Sequence, residues 1–377
     1  MGIFTLPPKM PRADLLDVES YLRSDSRQSP IRRFRRTLAA EWFPQSGVQL
    51  TWPHGDTDWA PMLQEVTETY IRIAYEIAIR EILLIVHPNA EDVKKLLENR
   101  LPLRATENII YFSCPTDDTW TRDHGFLTVI GTGEPELLDF RFNGWGGKFS
   151  ADKDNAINRS LFEANLLHGQ YVDCLDFELE GGSIETDGMG TLLTTRQCLL
   201  NPNRGRQQDV KILEDYLSEK LGVTNILWLE HGALQGDDTD SHIDTLARLC
   251  PGRRIAYVKC QDEADEHYEE LRMMEEQLRT FTDAEGAPFE LIPLPLPAAI
   301  YDGNERLPAT YANYLVMNKA ILMPTYNQPE NDEKARRALL QAFPKYDIVG
   351  IDCCSLIRQH GSLHCSTMQY PKGILRL

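Results

Sequence analysis

The sequence predicts a single α/β domain, and three observations carry that prediction. A helical stretch, Met62–Arg80, runs directly into a short apolar run, Ile82–Val86. The same alternation of helix and short strand recurs to near the C-terminus. No Gly/Ser linker or abrupt change of composition divides the 377 residues. Strands alternating with helical patterns are the signature of α/β architecture. The stretch 1–35, rich in Pro, Arg and Ser, is expected as an N-terminal extension packed on the body, with 36–377 as the single main domain.

In chain order, Gly47–Trp52 reads as the first strand. The helix Met62–Arg80 follows from Leu63, Val66, Tyr70, Ile73 and Ile77, which recur at spacings of three and four and so share one face. Ile82–Val86 is apolar throughout, as a strand buried on both faces should be. A short helix Ala90–Asn99 and a strand Asn108–Phe112 come next. Gly125–Ile130 and Leu137–Phe142 read as strands, and Asp209–Leu221 and Ala264–Phe281 as helices. Tyr314–Met323 reads as a hairpin turning at Asn318-Lys319, followed by a helix Ala335–Phe343 and a strand Tyr346–Gly350. Polar motifs end several strand-like runs, a faint self-similarity with no fixed repeat length.

Composition excludes some functions. The net charge of −18 opposes a nucleic-acid surface and suits a cationic small molecule. No apolar run approaches the ~20 residues of a membrane helix, and the N-terminal residues lack the apolar core of a signal peptide. The eight cysteines, scattered except for Cys353-Cys354, read as reduced thiols, which places the chain in the cytoplasm. The basic run Arg32-Arg33-Phe34-Arg35-Arg36 reads as a solvated helix face.

Four polar clusters stand out. Near the C-terminus, His360–Gln369 sets Cys365 among small, polar and basic residues, whereas structural cysteines sit among apolar ones. Asp117–Gly125 holds Trp120, Arg122 and three carboxylates, Asp123 among them, between two predicted strands; an α/β fold places ligands at such strand ends. A turn with an Arg–Asp ion pair would look the same. Leu179–Gly188 joins Glu180 and Glu185 to paired glycines that permit close backbone approach, and a plain hairpin accounts for it as well. Gly236–Thr245 places Asp240, His242 and Asp244 on one face if extended. A histidine between carboxylates has a raised pKa and can act as a general acid.

A thiol, an imidazole and several carboxylates beside an aromatic ring suit a planar guanidinium, which offers five N–H donors in a fixed fork. Thiolate attack on the central carbon, with histidine protonating departing ammonia, would hydrolyse the group. An unperturbed thiol of pKa ~8.5 is mostly protonated at neutral pH, and a bound cation or protonated His242 would lower that value. The rival metal hydrolase lacks HExxH or paired CxxC spacing.

These residues resemble the agmatine deiminase family, also named for Porphyromonas-type peptidyl-arginine deiminase. The similarity runs from about Glu41 to the C-terminus. It includes Trp52-Pro53-His54, Asp58-Trp59, Trp120-x-Arg122-Asp123-x-Gly125, Phe142–Gly147, Glu180–Ile184, Thr239–Asp244 and Gln359–Cys365. The resemblance implies a five-bladed α/β propeller, the pentein fold, with pseudo-fivefold repeats around a central site. It implies neither metal nor organic cofactor. The implied reaction converts agmatine to N-carbamoylputrescine and ammonia through a covalent amidino-cysteine intermediate, in putrescine and polyamine biosynthesis. Deimination of peptidyl-arginine or another guanidino compound is the alternative; a non-enzymatic guanidine-binding relative is disfavoured because Cys365 and His242 are retained.

By the same resemblance Cys365 is the nucleophile and His242 the acid, then the base. Asp123 and Asp244 clamp the guanidinium, Glu180 partners both it and His242, and Trp120 walls the pocket. Some relatives carry His at the position of Glu185 and Gly at that of Ser241. Glu185 or Asp240 is therefore expected to bind the substrate ammonium. The expected partner is a small cationic guanidino substrate, with neither nucleic acid nor membrane, and a homo-oligomer is compatible with the chain. Trp42, Trp52, Trp59 and Trp145, and the cysteines other than Cys365, are expected in the core.

Overall fold

The computed structural model describes residues 36–205 and 209–376. The N-terminal extension 1–35, with Arg32, Arg33 and Arg35, lies outside the described residues. Arg36 departs from the expected helix face: it opens a strand, Arg36–Leu38, antiparallel to Leu127–Gly131, and its guanidinium pairs with Glu136 at 2.6 Å.

Among the described residues the fold contains five sheets of three or four strands and one two-stranded ribbon. Each of the five combines an antiparallel pair with a parallel neighbour. Ile184–Thr186, Thr191–Thr195 and Asn225–Leu229 follow this rule, as do Ala247–Cys250, Arg254–Lys259 and Glu290–Pro295. So do Leu315–Met317, Ala320–Thr325 and Asp347–Asp352. The last strand, Thr367–Pro371, runs antiparallel to Gln45–Thr51, which is parallel to Ile82–His87 and onward to Ile109–Ser113. Leu127–Gly131 and Glu136–Arg141 form the fifth antiparallel pair, extended in parallel by Gln170–Glu178.

The first α-helix of the described residues spans Leu63–Ala78 and buries Val66, Tyr70, Ile73 and Ile77, four of the five positions that predicted it. Leu83, Leu84, Ile85 and Val86 are fully buried, as a strand with neighbours on both edges and covered faces requires. The helix Val210–Leu221 starts where Asp209 accepts from the backbone N–H of Lys211 and Ile212 at 2.9 and 3.3 Å. It stops at Gly222, whose φ of +68° is left-handed. The hairpin turns at Asn318-Lys319 as expected, with Met317 opposite Ala320.

Two helix starts depart furthest from expectation. The helix expected from Ala264 begins at Tyr268, because Asp262 and Asp265 accept from the backbone of Ala264 and His267 at 3.0 and 2.9 Å and hold turns there. The helix expected from Ala335 begins at Pro329, a residue suited to the first helical turn. The helix Asp152–Glu163 lacked a periodic signal because its buried face includes Asp154 and Asn158 beside Ile157 and Leu161. Asp154 accepts from the N–H of Asp117 at 2.8 Å, and Asn158 donates to the carbonyl of His124 at 2.7 Å. That helix thereby braces the segment carrying Asp123.

Candidate active site

Four short turns, three of them leading directly into a strand, bring the sequence clusters together. Asp123 sits on a one-turn helix, Thr121–His124. Glu180 precedes the 3-10 turn Gly181–Ser183. His242 precedes the 3-10 turn Ile243–Thr245, which contains Asp244. Cys365 stands two residues before the final strand, and its carbonyl accepts from the N–H of Arg122 at 3.1 Å. That bond joins the first cluster to the last.

Gly182 lies at the point of convergence. A Cβ there would stand 2.6 Å from His242 Nδ1, 2.8 Å from Asp123 Oδ1 and 3.2 Å from Asp244 Oδ2. Only glycine lets these three groups close in, while its own N–H donates to Asp123 Oδ1 at 3.0 Å. His242 Nδ1 is 3.7 Å from Asp123 Oδ1, and its Nε2 is 3.8 Å from Glu180 Oε2. Cys365 Sγ is 3.9 Å from Asp244 Oδ2. Cys365 is 7% exposed and the other four at most 3%. Buried Asp244 Oδ1 has no hydrogen-bond partner among the described residues, an acceptor available to a donor-rich ligand.

Electrostatics follow from this crowding. Burial raises the Asp123 carboxyl to about 6, against the opposing pull of His242. Burial also raises Glu180 and Asp244, but their partners prevail and both end below the ordinary range. The partners are His242 and Arg204 for Glu180, and chiefly His364 for Asp244. Burial alone would lower His242; the Asp123 charge, with Cys198 and the Glu180 carboxylate close by, instead holds it well above the usual imidazole value. Burial, then the charges of Asp244 and Asp123, push the Cys365 thiol well up. The cluster pairs an imidazolium with a thiol surrounded by carboxylates, an environment that gains when a cation enters.

Asp240 does not share one extended face with His242 and Asp244. Its segment is not extended: Asp240 and Ser241 both have φ of +65°. Its carboxylate faces Arg204 Nη1 at 2.6 Å and Lys148 Nζ at 3.4 Å. Glu185 also stands apart from Cys365 and His242, its carboxylate bound by Arg248 Nε and, at 3.3 Å, by the N–H of Leu249. Both acids are already compensated by guanidinium groups. Trp120 is buried against the loop of the nucleophile, where a Cβ on Gly361 would lie 2.2 Å from its ring.

Several neighbours complete the site, and sequence reasoning missed the parts that Trp145, Arg204 and Asn313 play in it. Trp145, expected in the core, is buried but also donates from Nε1 to Asp123 Oδ2 at 2.9 Å. Arg204 donates to Glu180 Oε1 at 2.6 Å. Asn313 contacts Cys365 Sγ at 3.2 Å. His364 Nδ1 donates to Asp244 Oδ2 at 2.7 Å, and its Nε2 lies 2.8 Å from Glu41, which also binds Arg248. Arg204 and Asn313 carry no local motif; Trp145 lay within the Phe142–Gly147 cluster.

Glu180, Cys198 and His242 offer ligand atoms within 4.8 Å of one another, as do Glu41, Glu185 and His364. Arg204 lies against the first trio and Arg248 against the second, so each is already supplied with positive charge. A further cation there would meet a buried guanidinium.

Residues 37–371 match the model of the family described as Porphyromonas-type peptidyl-arginine deiminase. A solved Porphyromonas gingivalis chain, provisionally named an arginine deiminase, is 48% identical with a TM-score of 0.85; the match covers 90% of this chain and 100% of that one. A cysteine-to-serine variant of C. jejuni agmatine deiminase with substrate bound is 38% identical, TM-score 0.82, over 90% and 97% of the two chains. A Legionella pneumophila protein, provisionally named agmatine deiminase, is 35% identical over 345 residues, 89% of this chain and 95% of that one.

Proposed function

The chain belongs to the Porphyromonas-type peptidyl-arginine deiminase family, and from that premise we propose that it hydrolyses agmatine to N-carbamoylputrescine and ammonia. The observation that carries this reading is the convergence of His242, Asp123 and Asp244 on Gly182, with Glu180 beside His242 and Cys365 beside Asp244. It is a hydrolase of C–N bonds in linear amidines, like its agmatine deiminase relatives. Asp123 and Asp244 clamp the guanidinium, with Glu180 beside His242, and Trp120 packs behind the nucleophile loop.

The guanidinium offsets the two carboxylates that hold the thiol protonated, so the thiol proton leaves for water as the cation enters. The thiolate attacks the guanidinium carbon. Protonated His242 gives its proton to one amino group, which departs as ammonia and leaves an amidino thioether on Cys365. Neutral His242 then takes a proton from water, and the hydroxide adds to the same carbon. The C–S bond breaks as the hydroxyl proton of the adduct leaves for solvent, regenerating the thiolate and releasing the neutral ureido product. The clamp supplies proximity throughout.

The depth of the cluster supports a guanidine carried on a thin chain over one carried on a folded peptide. The names of the family and of the P. gingivalis relative favour arginine or peptidyl-arginine as the second reading. The five sheets of shared pairing pattern, in a mixed α/β fold like that of the agmatine deiminases, support five blades about one site within a single catalytic domain. No helix among the described residues is long and apolar enough to cross a membrane. We place the reaction in the cytoplasm, within putrescine synthesis.

Ammonia release from agmatine, arginine and an arginine peptide, with Cys365→Ser alongside, tests the reading. Agmatine turnover lost in the variant supports it. Turnover of arginine or the peptide alone selects the second reading, and turnover that survives Cys365→Ser removes the thiol mechanism.

A further inference from the structure

Asn313 is buried between the nucleophile and the backbone that carries it, and sequence reasoning gave it no role. Its amide cannot be flipped without losing bonds. Oδ1 accepts from the N–H of His364 at 2.9 Å and of Cys365 at 3.3 Å, both donors that require an oxygen. Nδ2 is thereby directed at Cys365 Sγ, 3.2 Å away, and at the carbonyl of Asp244, 3.5 Å away. The flanking residues are fixed as well. Arg248 Nη1 donates to the carbonyls of Ala312 and Tyr314, on either side of Asn313, at 3.1 and 2.6 Å.

Building on the proposed thiol mechanism, we propose that Asn313 is a catalytic residue whose Nδ2–H donates to the Cys365 thiolate. In the thiol form Sγ–H donates to Oδ1 at 3.4 Å instead, so one rigid amide serves both protonation states. The need for such a donor is physical. Asp244 and Asp123 oppose negative charge on sulfur, and His242 is placed toward Asp123 and Glu180. A neutral amide favours the thiolate without adding a cation that would repel the guanidinium.

The test is the pH dependence of Cys365 alkylation by iodoacetamide, followed on its peptide by mass spectrometry in wild type, Asn313→Ala and Asn313→Asp. Circular dichroism and melting confirm folding. Asn313→Asp is near-isosteric: it keeps the oxygen that receives both backbone donors and exchanges the amino group for an acceptor. The expected result is an alkylation midpoint moved up by about one unit or more in both variants, equivalent to at least a tenfold loss of thiolate at a given pH. The accompanying kcat is expected to fall about tenfold or more, with KM changed less. If Asn313→Ala does not fold, Asn313→Asp decides alone. A wild-type midpoint in Asn313→Asp would overturn the proposal and leave Asn313 a backbone brace. Because alkylation needs no substrate, an enzyme silent on agmatine but with a shifted midpoint would refute the substrate assignment and leave the amide's role standing.

Discussion

Trp145→Phe isolates one hydrogen bond to the guanidinium clamp. Trp145 Nε1 donates to Asp123 Oδ2 at 2.9 Å, and the carboxyl already stands at about 6 through burial. A hydrogen bond to a charged group contributes about 1.5–3 kcal/mol. At about 1.4 kcal/mol per unit, losing it moves the Asp123 midpoint up by roughly one to two units, to about 7–8. A cation needs the carboxylate ionised, so the sign is fixed: activity falls as pH drops through that midpoint. Roughly nine-tenths of wild-type Asp123 is ionised at pH 7, against about one-tenth to one-half in the variant, so kcat/KM at pH 7 falls roughly two- to tenfold. The assay is the pH profile of kcat/KM for agmatine. Trp145 also packs on Phe142 and Phe149, with ring centroids 4.9 and 5.5 Å apart, so a uniform loss from looser packing is the competing outcome. An acid limb with its wild-type midpoint would refute the reasoning.

Three further outcomes follow from the same geometry. Gly182→Ala drives a methyl group into His242 and Asp123, and steady-state kinetics should show kcat reduced about 100-fold or more while the melting temperature changes little. Arg204→Met removes the guanidinium from buried Glu180 and from Asp240; chemical denaturation should register a loss of about 3–5 kcal/mol, together with a lower kcat. Glu81, raised to about 7 by burial against the bonds from Asn318, favours the protonated form on folding. Its contribution to stability is therefore present below about 4.5 and lost as pH rises through 7. Glu81→Gln should match wild type near pH 5 and melt higher at pH 8; equal melting at both would show that the carboxylate carries no buried charge cost.

Much of the fold was legible because its signals are local. The spacing of Val66, Tyr70, Ile73 and Ile77 and the apolar run at Ile82 fix a helix and a buried strand without reference to the rest of the molecule. Asp209 and Gly222 mark a helix by capping alone. The strand Gln170–Glu178 was missed because most of its side chains are only partly covered and its charges break any alternation. In the site, the structure brings together Asp123, Glu180, His242, Asp244 and Cys365, each of which stands in a dense polar cluster of the sequence. Asp240 was misplaced because alternation presumes an extended chain, and two residues of positive φ turn it toward Arg204. Arg204, Arg248 and Asn313 act across 24 to 64 residues of chain, through contacts that no local pattern encodes.

The most direct test of the central claim is acid-quenched mass spectrometry of the enzyme during agmatine turnover. A steady-state fraction of the Cys365 peptide should carry agmatine less ammonia, and the adduct should be absent from Cys365→Ser. Sustained turnover with Cys365 unmodified at every quench time, or with the adduct on another residue, would contradict the account.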